Sequence, residues 1–541
     1  MKTTHIIFSI FASVALLASC SEKLLDIPQQ GVQSEANSYI TDEDCEAATA
    51  AVYAAWRHAW SGTGSSSASG TTYCNLFWFK NILSDETHSA SHSGQQELGD
   101  YTYTNASPWI GAIYEFLYKT IYLANIVLDK FQPESETKIR CIAEVKFFRA
   151  LCYYELITLW GRVPLVDHVM TSENNYQIAP SEIDALWAFV LKDLDEAIAE
   201  DAAEPILVSK KNMDDKETGT RITLEAAYAV RGKVHLTMKN YGAARTDFGK
   251  VITSGKYDLI DNMGDLYHTA ANGCKEYIFE NVRHWDTNNL YTETKDARQD
   301  GWYGLEDNWL FAYGMEAADD APYPFVTMMG WGAINPTKKV YDAFVAEEGA
   351  NSPRRLASVV GLSDLPALKV TIKSLQWTGN EGYFRFKWLM RTDDEWDAAW
   401  TGRLNNTPCM RYADVLLMMA EACIRDGASG DEYINKVRTR AGLGTLSGAT
   451  MADVKKERLL ELCFEATRLQ DLKRWDECGE GDLQANLGDK GKQIPKLIGD
   501  AMGVTSVEWV ANPDPTAGWN ESKRYLPYPL VEIQTNKLIT Q

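Results

Sequence analysis

The chain has 541 residues, 53 basic and 75 acidic, for a formal net charge of −22 at neutral pH. A surface this acidic repels nucleic acid and anionic lipid and favours neutral or cationic partners, so no nucleic-acid partner is expected. The length exceeds one ordinary compact domain but suits a helical array with insertions, and after the N-terminus no apolar run approaches 18 residues, so the body reads as soluble.

The first element is a short leader. Lys2 gives a positive start, and the uncharged run IIFSIFASVALLAS, residues 6–19, is too short to span a bilayer, which takes about 20 apolar residues. It reads as a signal peptide. Leu17, Ala18, Ser19 and Cys20 then match the lipobox of bacterial lipoproteins, in which the thiol is acylated and the chain is cut before it. Residues 1–19 are thus expected to be removed and residues 20–40 to form a tether carrying lipid on Cys20. Each buried methylene of the acyl chains contributes about 0.8 kcal/mol to anchoring.

Helical amphipathic segments come next. DEDCEAATAAVYAAWRHAW (42–60) pairs with WIGAIYEFLYKTIYLANIVLDKF (109–131). AEVKFFRALCYYELITLWGRVPL (143–165) is a helix stopped at Gly161 and Pro164, partnered by 181–200. In 223–259 Thr223 caps a first helix and a turn at residues 239–241 precedes Gly242. Gly232, Ala244 and Phe248 fall where a tetratricopeptide hairpin needs two small residues and an aromatic one. Residues 411–427 pair with 431–443, and VKKERLLELCFEATRLQDLKRWD (454–476) reads as one long helix. The fold expected is mostly α, with four tetratricopeptide-like hairpins and an irregular, loop-rich lobe containing short strands. The single domain is expected over 41–541, its scaffold at about 41–260 and 405–480, its lobe at about 61–108 and 261–404, and a C-terminal segment at 481–541.

Two insertions differ from the helices. SGTGSSSASGTT (61–72) is low in complexity. From about 270 to 400 the helical period fades into strand-like pieces between turns, and eight of the chain's 17 tryptophans fall there. Tryptophan in loops beside Asn and Asp is costly to leave bare, so these rings mark either a lobe core or a binding face.

Beyond Cys20 nine cysteines remain, an odd number with no CxxC spacing; Cys152, Cys423 and Cys463 lie in helical patterns where a thiol acts as a small hydrophobe. No disulfide framework, zinc site or other cofactor is expected. Phosphate-loop, nucleophile-elbow, HExxH and EF-hand spacings are missing. His88 and His92 lie in a polar loop, where their spacing does not put them on one helical face. The acidic run Asp393, Asp394 and Glu395 reads as a solvated surface, although a glycosidase would need only two suitably spaced carboxyls.

The lipobox followed by LLDIPQQG, the block at 143–165, MRYADVLLMMAEA with INKVRTRAGL, ERLLELCFEATRLQDLKRW and the ending RYLPYPLVEIQTNKL together resemble the SusD/RagB family of outer-membrane lipoproteins. Residues 331–355 resemble its PT...DAF...DPRR segment, with Asn351 and Ser352 replacing the usual acidic residue, and Trp475 is followed by Asp476 rather than Gly. The resemblance implies a non-catalytic, glycan-binding lipoprotein on the outer membrane, facing the cell exterior, which acts as a lid on a TonB-dependent transporter of the SusC type. A peptide or glycopeptide nutrient, and less so a glycoside hydrolase, are the alternatives.

A pyranose offers a flat C–H face for an aromatic ring and a rim of hydroxyls for polar groups. In the family the platform comes from the loop after the first helix and from the irregular insertion. By position this implies stacking by Trp78, Trp285, Trp302 and Trp309, and hydroxyl contacts by Asn81, Asp85, Arg283, Asp286 and Asn288. Trp160, Trp331, Trp388 and Trp475 are expected in the core.

Overall fold

The computed structural model describes residues 39–61, 64–66, 70–72, 75–89, 95–171, 176–282, 315–322, 334–372, 377–389, 391–392, 394, 396–397, 402–403, 405–500 and 503–540. Its principal helices are α1 (Asp42–Ser61), α2 (Leu76–Ile82), α3 (Pro108–Lys130), α4 (Glu136–Trp160), α5 (Ile183–Ile198), α6 (Leu224–Thr237), α7 (Tyr241–Thr253), α8 (Lys338–Glu348), α9 (Pro353–Ser358), α10 (Tyr412–Arg425), α11 (Asp431–Arg440), α12 (Met451–Leu462) and α13 (Arg468–Asp476). The pairs α1 with α3, α4 with α5, α6 with α7, and α10 with α11 pack as the periodicity implies, and α3 on α4 and α7 on α10 join them. No helix among the described residues is long and apolar enough to cross a membrane.

Local chemistry explains the helix ends. Ser135 accepts from the amide of Lys138 at 3.1 Å to start α4, and Gly161, with φ 75°, ends it. Thr223 caps α6 through the amide of Ala226 at 3.1 Å. Inside that hairpin a Cβ on Gly232 would stand 2.6 Å from a ring carbon of Phe248, and both Ala244 and Phe248 are fully buried. Helices α6 and α7 approach this closely because residue 232 has no side chain.

The long helix expected over 454–476 is two helices. Between α12 and α13 the backbone turns left-handed at Phe464 (φ 64°) and Ala466 (φ 60°), a conformation that costs about 1–2 kcal/mol per residue without glycine. Contacts from remote parts of the chain hold the break. The Phe464 amide donates to Glu86 Oε2 at 3.1 Å and the Ala466 amide to Asn81 Oδ1 at 3.2 Å. Glu465 is thereby aimed inward, where Arg411 Nε (2.8 Å), Lys387 Nζ (2.8 Å) and Tyr267 Oη (2.6 Å) all donate to it.

Glu465 belongs to a buried ionic layer between the helices and the irregular lobe. Arg354 pairs with Glu457 at 2.6 Å and Glu461 at 3.0 Å, while Arg411 pairs with Glu276 and, at 3.1 Å, with Glu461. Burial works against the charge on Glu461, but Arg440, Arg411 and Arg354 outweigh it and hold this carboxyl well below the usual range. Removing one partner from such a layer is far costlier than never having built it.

The lobe is less irregular than its sequence suggests. It holds α8 and α9, and β2 (Val359–Gly361) pairs antiparallel with β3 (Tyr383–Arg385) over a small core of Val360, Leu365, Phe384 and Phe386. Strand β1 (Tyr277–Asn281) pairs antiparallel with β4 (Thr407–Arg411) and carries the lobe back into α10. The longest strands, β5 (Gln493–Asp500) and β6 (Gly503–Ala511), form a C-terminal hairpin that the sequence reading left undivided. Both faces of β6 are open, with Val507, Trp509 and Val510 between 38% and 48% exposed.

Candidate functional site

The first group of expected ligand residues is built into the core. Asn75 caps α2 by accepting from the Trp78 amide at 3.0 Å, and all seven residues of the helix are buried. Trp78 is 1% exposed and lies in the main core, so its ring presents no face for stacking. Asn81 donates to the carbonyls of Phe77 (2.9 Å) and Phe464 (3.2 Å), completing the turn between α12 and α13. Asp85 is gripped by Arg468 at 2.8 and 2.9 Å and by Lys339 at 2.5 Å; burial opposes its charge, yet these cations hold the carboxyl well below its usual range. Trp78 and Asn81 are corrected to structural roles; Asp85, though gripped by Arg468 and Lys339, also lines the second concavity described below. The signal was present in LFWF (76–79), four consecutive large apolar residues that cover every side of one helical turn, the mark of a buried helix rather than of a one-sided platform. Trp160, Trp388 and Trp475 are in the core, at 4%, 2% and 0% exposure.

Arg283, Trp285, Asp286, Asn288, Trp302, Trp309, Trp331 and Cys20 lie outside the described residues. The anchorage of their segments is described. Asn281, at the end of β1, donates to Ser61 Oγ, at the end of α1, over 3.2 Å, and faces Thr407 across the β1–β4 pair. The low-complexity loop after Ser61, the tryptophan-rich segment after Asn281 and the loop preceding β4 are therefore tied to the scaffold at one place.

The floor beneath this junction is aromatic and charged. Trp60 stacks on Trp56 with ring centres 5.8 Å apart, and Lys80 Nζ lies 4.6 Å from the Trp60 ring while bonding Glu155 at 2.9 Å. Burial lowers the Lys80 pKa. Beside Asn281, Glu280 accepts from Asn406 Nδ2 at 2.9 Å and from the Gly273 amide at 3.3 Å, and its burial pushes the carboxyl up to about 7. Such a group keeps a proton near neutrality because desolvating its charge outweighs two neutral donors.

A second concavity of about 650 Å³ lies between the loop that follows α2 (Asp85, Thr87, His88), the lobe and the C-terminal hairpin. Trp509, 48% exposed, leans edge-on against His88 with ring centres 5.7 Å apart, and His88 Nε2 meets Glu381 at 2.8 Å. Lys339, Asn486 and Asp489 add polar groups around it. An open indole beside fixed hydroxyl-bonding groups suits a neutral, hydroxylated ligand.

The acidic run yields no catalytic geometry at its described member. Asp394 accepts from His268 Nδ1 at 2.8 Å and from the amides of Thr269 and Arg391, both at 2.8 Å. Burial opposes its charge, but His268 and these amides leave it at about 2. A carboxyl so engaged stitches two loops and cannot serve as a proton donor near neutral pH.

A helical scaffold carrying a lobe of short strands and loops is the class of fold that the described residues define. Family models give the particular one. A model described as the SusD family matches residues 367–541, and a second, described as starch-binding associating with outer membrane, matches residues 37–236. The chain belongs to the SusD family. A SusD-like protein P25 of Formosa agariphila is 25% identical, over 88% of this chain and 90% of its own length, and a SusD-like protein of Bacteroides ovatus is 22% identical over 98% and 96%. Among solved structures, a laminarin-binding SusD-like protein superposes with a TM-score of 0.71 at 23% identity, covering 92% of this chain and 98% of its own. Surface glycan-binding protein A of Bacteroides thetaiotaomicron, in complex with laminarihexaose, gives a TM-score of 0.68 at 20% identity, covering 93% and 99%.

Proposed function

We propose that this protein is a non-catalytic, cell-surface glycan-binding lipoprotein, anchored in the outer membrane through Cys20, which captures oligosaccharide and passes it to a TonB-dependent transporter of the SusC type. The observation that carries this reading is the near full-length match to the SusD fold, supported by the hydrogen bond from Asn281 to Ser61, the two residues after which the tryptophan-rich and low-complexity segments begin. Trp285, Trp302 and Trp309 supply the stacking faces, and Arg283, Asp286 and Asn288 bond the hydroxyls. Trp509 offers a separate aromatic contact in the groove beside His88.

The test is native affinity electrophoresis through gels holding a panel of plant, microbial and host glycans, with a reducing-sugar assay on the same samples. Retardation by one polysaccharide without new reducing ends supports a binding protein. New reducing ends would replace it with a hydrolase, and retardation by none would favour a peptide ligand.

A further inference from the structure

Nine of the described tryptophans are at most 9% exposed, whereas Trp509 on β6 is open at 48% and lies at the wall of the 650 Å³ groove. The hairpin that carries it is fixed along its far edge and at its base. The Leu497 amide donates to the Trp377 carbonyl at 2.7 Å and the Gly379 amide to that of Pro495 at 2.8 Å, and Pro495 stands opposite Trp509 across the β5–β6 pair. At the base, Asn512 donates through its amide to the Lys492 carbonyl and through its side chain to that of Gly491, both at 2.9 Å. Gly491 has φ 84°, and a Cβ there would stand 2.4 Å from the Asp100 carbonyl oxygen, so glycine lets the hairpin root closely on the body of the protein. An aromatic face set on so rigid an element keeps its position without a ligand.

The charge around the ring is matched within the protein. Lys339 meets Asp85 at 2.5 Å, His88 meets Glu381 at 2.8 Å and Lys492 meets Asp489 at 3.3 Å, while Lys490 donates to the carbonyls of Ser84 and, at 2.8 Å, Thr87. Three lysines thus line the groove with three carboxylates, and a polyanionic chain entering it would meet those carboxylates with no unpaired cation in return. A neutral sugar pays no such penalty, since its hydroxyls both donate and accept. We propose that this groove is a second saccharide site, independent of the tryptophan-rich segment and selective for neutral sugars. Trp509 stacks on the C–H face of one pyranose, and Glu381 and Asn486 bond its hydroxyls. The site rests on the reading that the protein binds glycan, but it needs none of Trp285, Trp302 and Trp309.

The full mature chain is labelled with 5-fluorotryptophan, and the fluorine signal of Trp509 is assigned by its loss in Trp509→Phe. Neutral hexasaccharides of glucose, mannose and xylose are titrated to about 10 mM, above the roughly millimolar dissociation constant expected of a single stacking face, with hexagalacturonate as the anionic probe. At least one neutral hexasaccharide should move the Trp509 signal to saturation, with the same affinity in the wild-type chain and in the Trp285→Ala/Trp302→Ala/Trp309→Ala variant. Glu381→Gln, which keeps the shape of the side chain, should weaken that binding roughly 10-fold. A Trp509 signal that no neutral hexasaccharide moves, or that moves only while Trp285, Trp302 and Trp309 are present, would overturn the proposal. Tighter binding of hexagalacturonate than of every neutral probe would overturn it too. The other fluorine signals report on glycan binding separately: if they move while Trp509 stays still, glycan binding stands and the second site falls, and if no signal moves, both fall.

Discussion

Replacing Gly232 by alanine tests the packing that shapes the α6–α7 hairpin. The new Cβ would sit 2.6 and 2.8 Å from two ring carbons of Phe248, against an ordinary contact of 3.4–4 Å, so the ring or the helix must give way by about 1 Å. Phe248 is fully buried, so its ring yields only by displacing close-packed neighbours. Overpacking of this kind costs roughly 1–3 kcal/mol, while exchanging glycine for alanine inside a helix returns about 1 kcal/mol, so a net loss of up to about 2 kcal/mol is expected. The decisive version is a double-mutant cycle followed by urea unfolding. In a Phe248→Leu background the ring edge is gone, and the same Gly232→Ala change should stabilise by up to about 1 kcal/mol. If Gly232→Ala has the same sign in both backgrounds, the clash with Phe248 does not explain the glycine.

Three further outcomes follow from the structure. Glu465→Ala strands Arg411, Lys387 and Tyr267 without their shared acceptor and should cost roughly 3–5 kcal/mol in urea unfolding; a loss under 1 kcal/mol would mean the buried layer relaxes freely. Burial raises the carboxyls of Glu86 to about 8 and Glu280 to about 7, so the folded chain binds more protons than the unfolded one above the ordinary carboxylate range. Their contribution therefore falls as pH rises from 5 to 7, and the Glu86→Gln/Glu280→Gln variant should lose that part of the slope in melting temperature; Lys473 and Lys490, lowered by burial to about 7 and about 8, act with the opposite sign only at higher pH. Trp509→Ala, at a half-exposed site, should change stability by about 0.5 kcal/mol or less while weakening retardation in glycan gels, and unchanged retardation would remove the groove from the ligand path.

Periodicity in the sequence was enough to locate the paired helices, because their faces bury against neighbours close in the chain. The cap at Thr223 and the stop at Gly161 carry their own local chemistry and were equally legible for that reason, whereas the cap at Ser135 went unread and α4 starts at Glu136, seven residues before the expected 143. The break between α12 and α13 was not, since ELCFEATRL continues a helical pattern and only Asn81 and Glu86, nearly 400 positions away, reveal the turn. Asn81 also links this turn to the error at the candidate site. Asn81 and Asp85 have sugar-binding chemistry in isolation, yet Phe464, Ala466, Arg468 and Lys339 consume it. The β5–β6 hairpin went unread because its strands are exposed and alternate weakly, giving no buried face to mark the period.

The central claim is that aromatic side chains on the segment anchored at Asn281 bind glycan. It is tested most directly by titration calorimetry of the polysaccharide retained in affinity gels, against the wild-type chain and a Trp285→Ala/Trp302→Ala/Trp309→Ala variant. Three lost stacking faces, at about 0.5–1.5 kcal/mol each, predict an affinity roughly 10- to 1000-fold weaker with the melting temperature preserved. Unchanged affinity in a folded variant would contradict the claim and move the ligand away from these tryptophans.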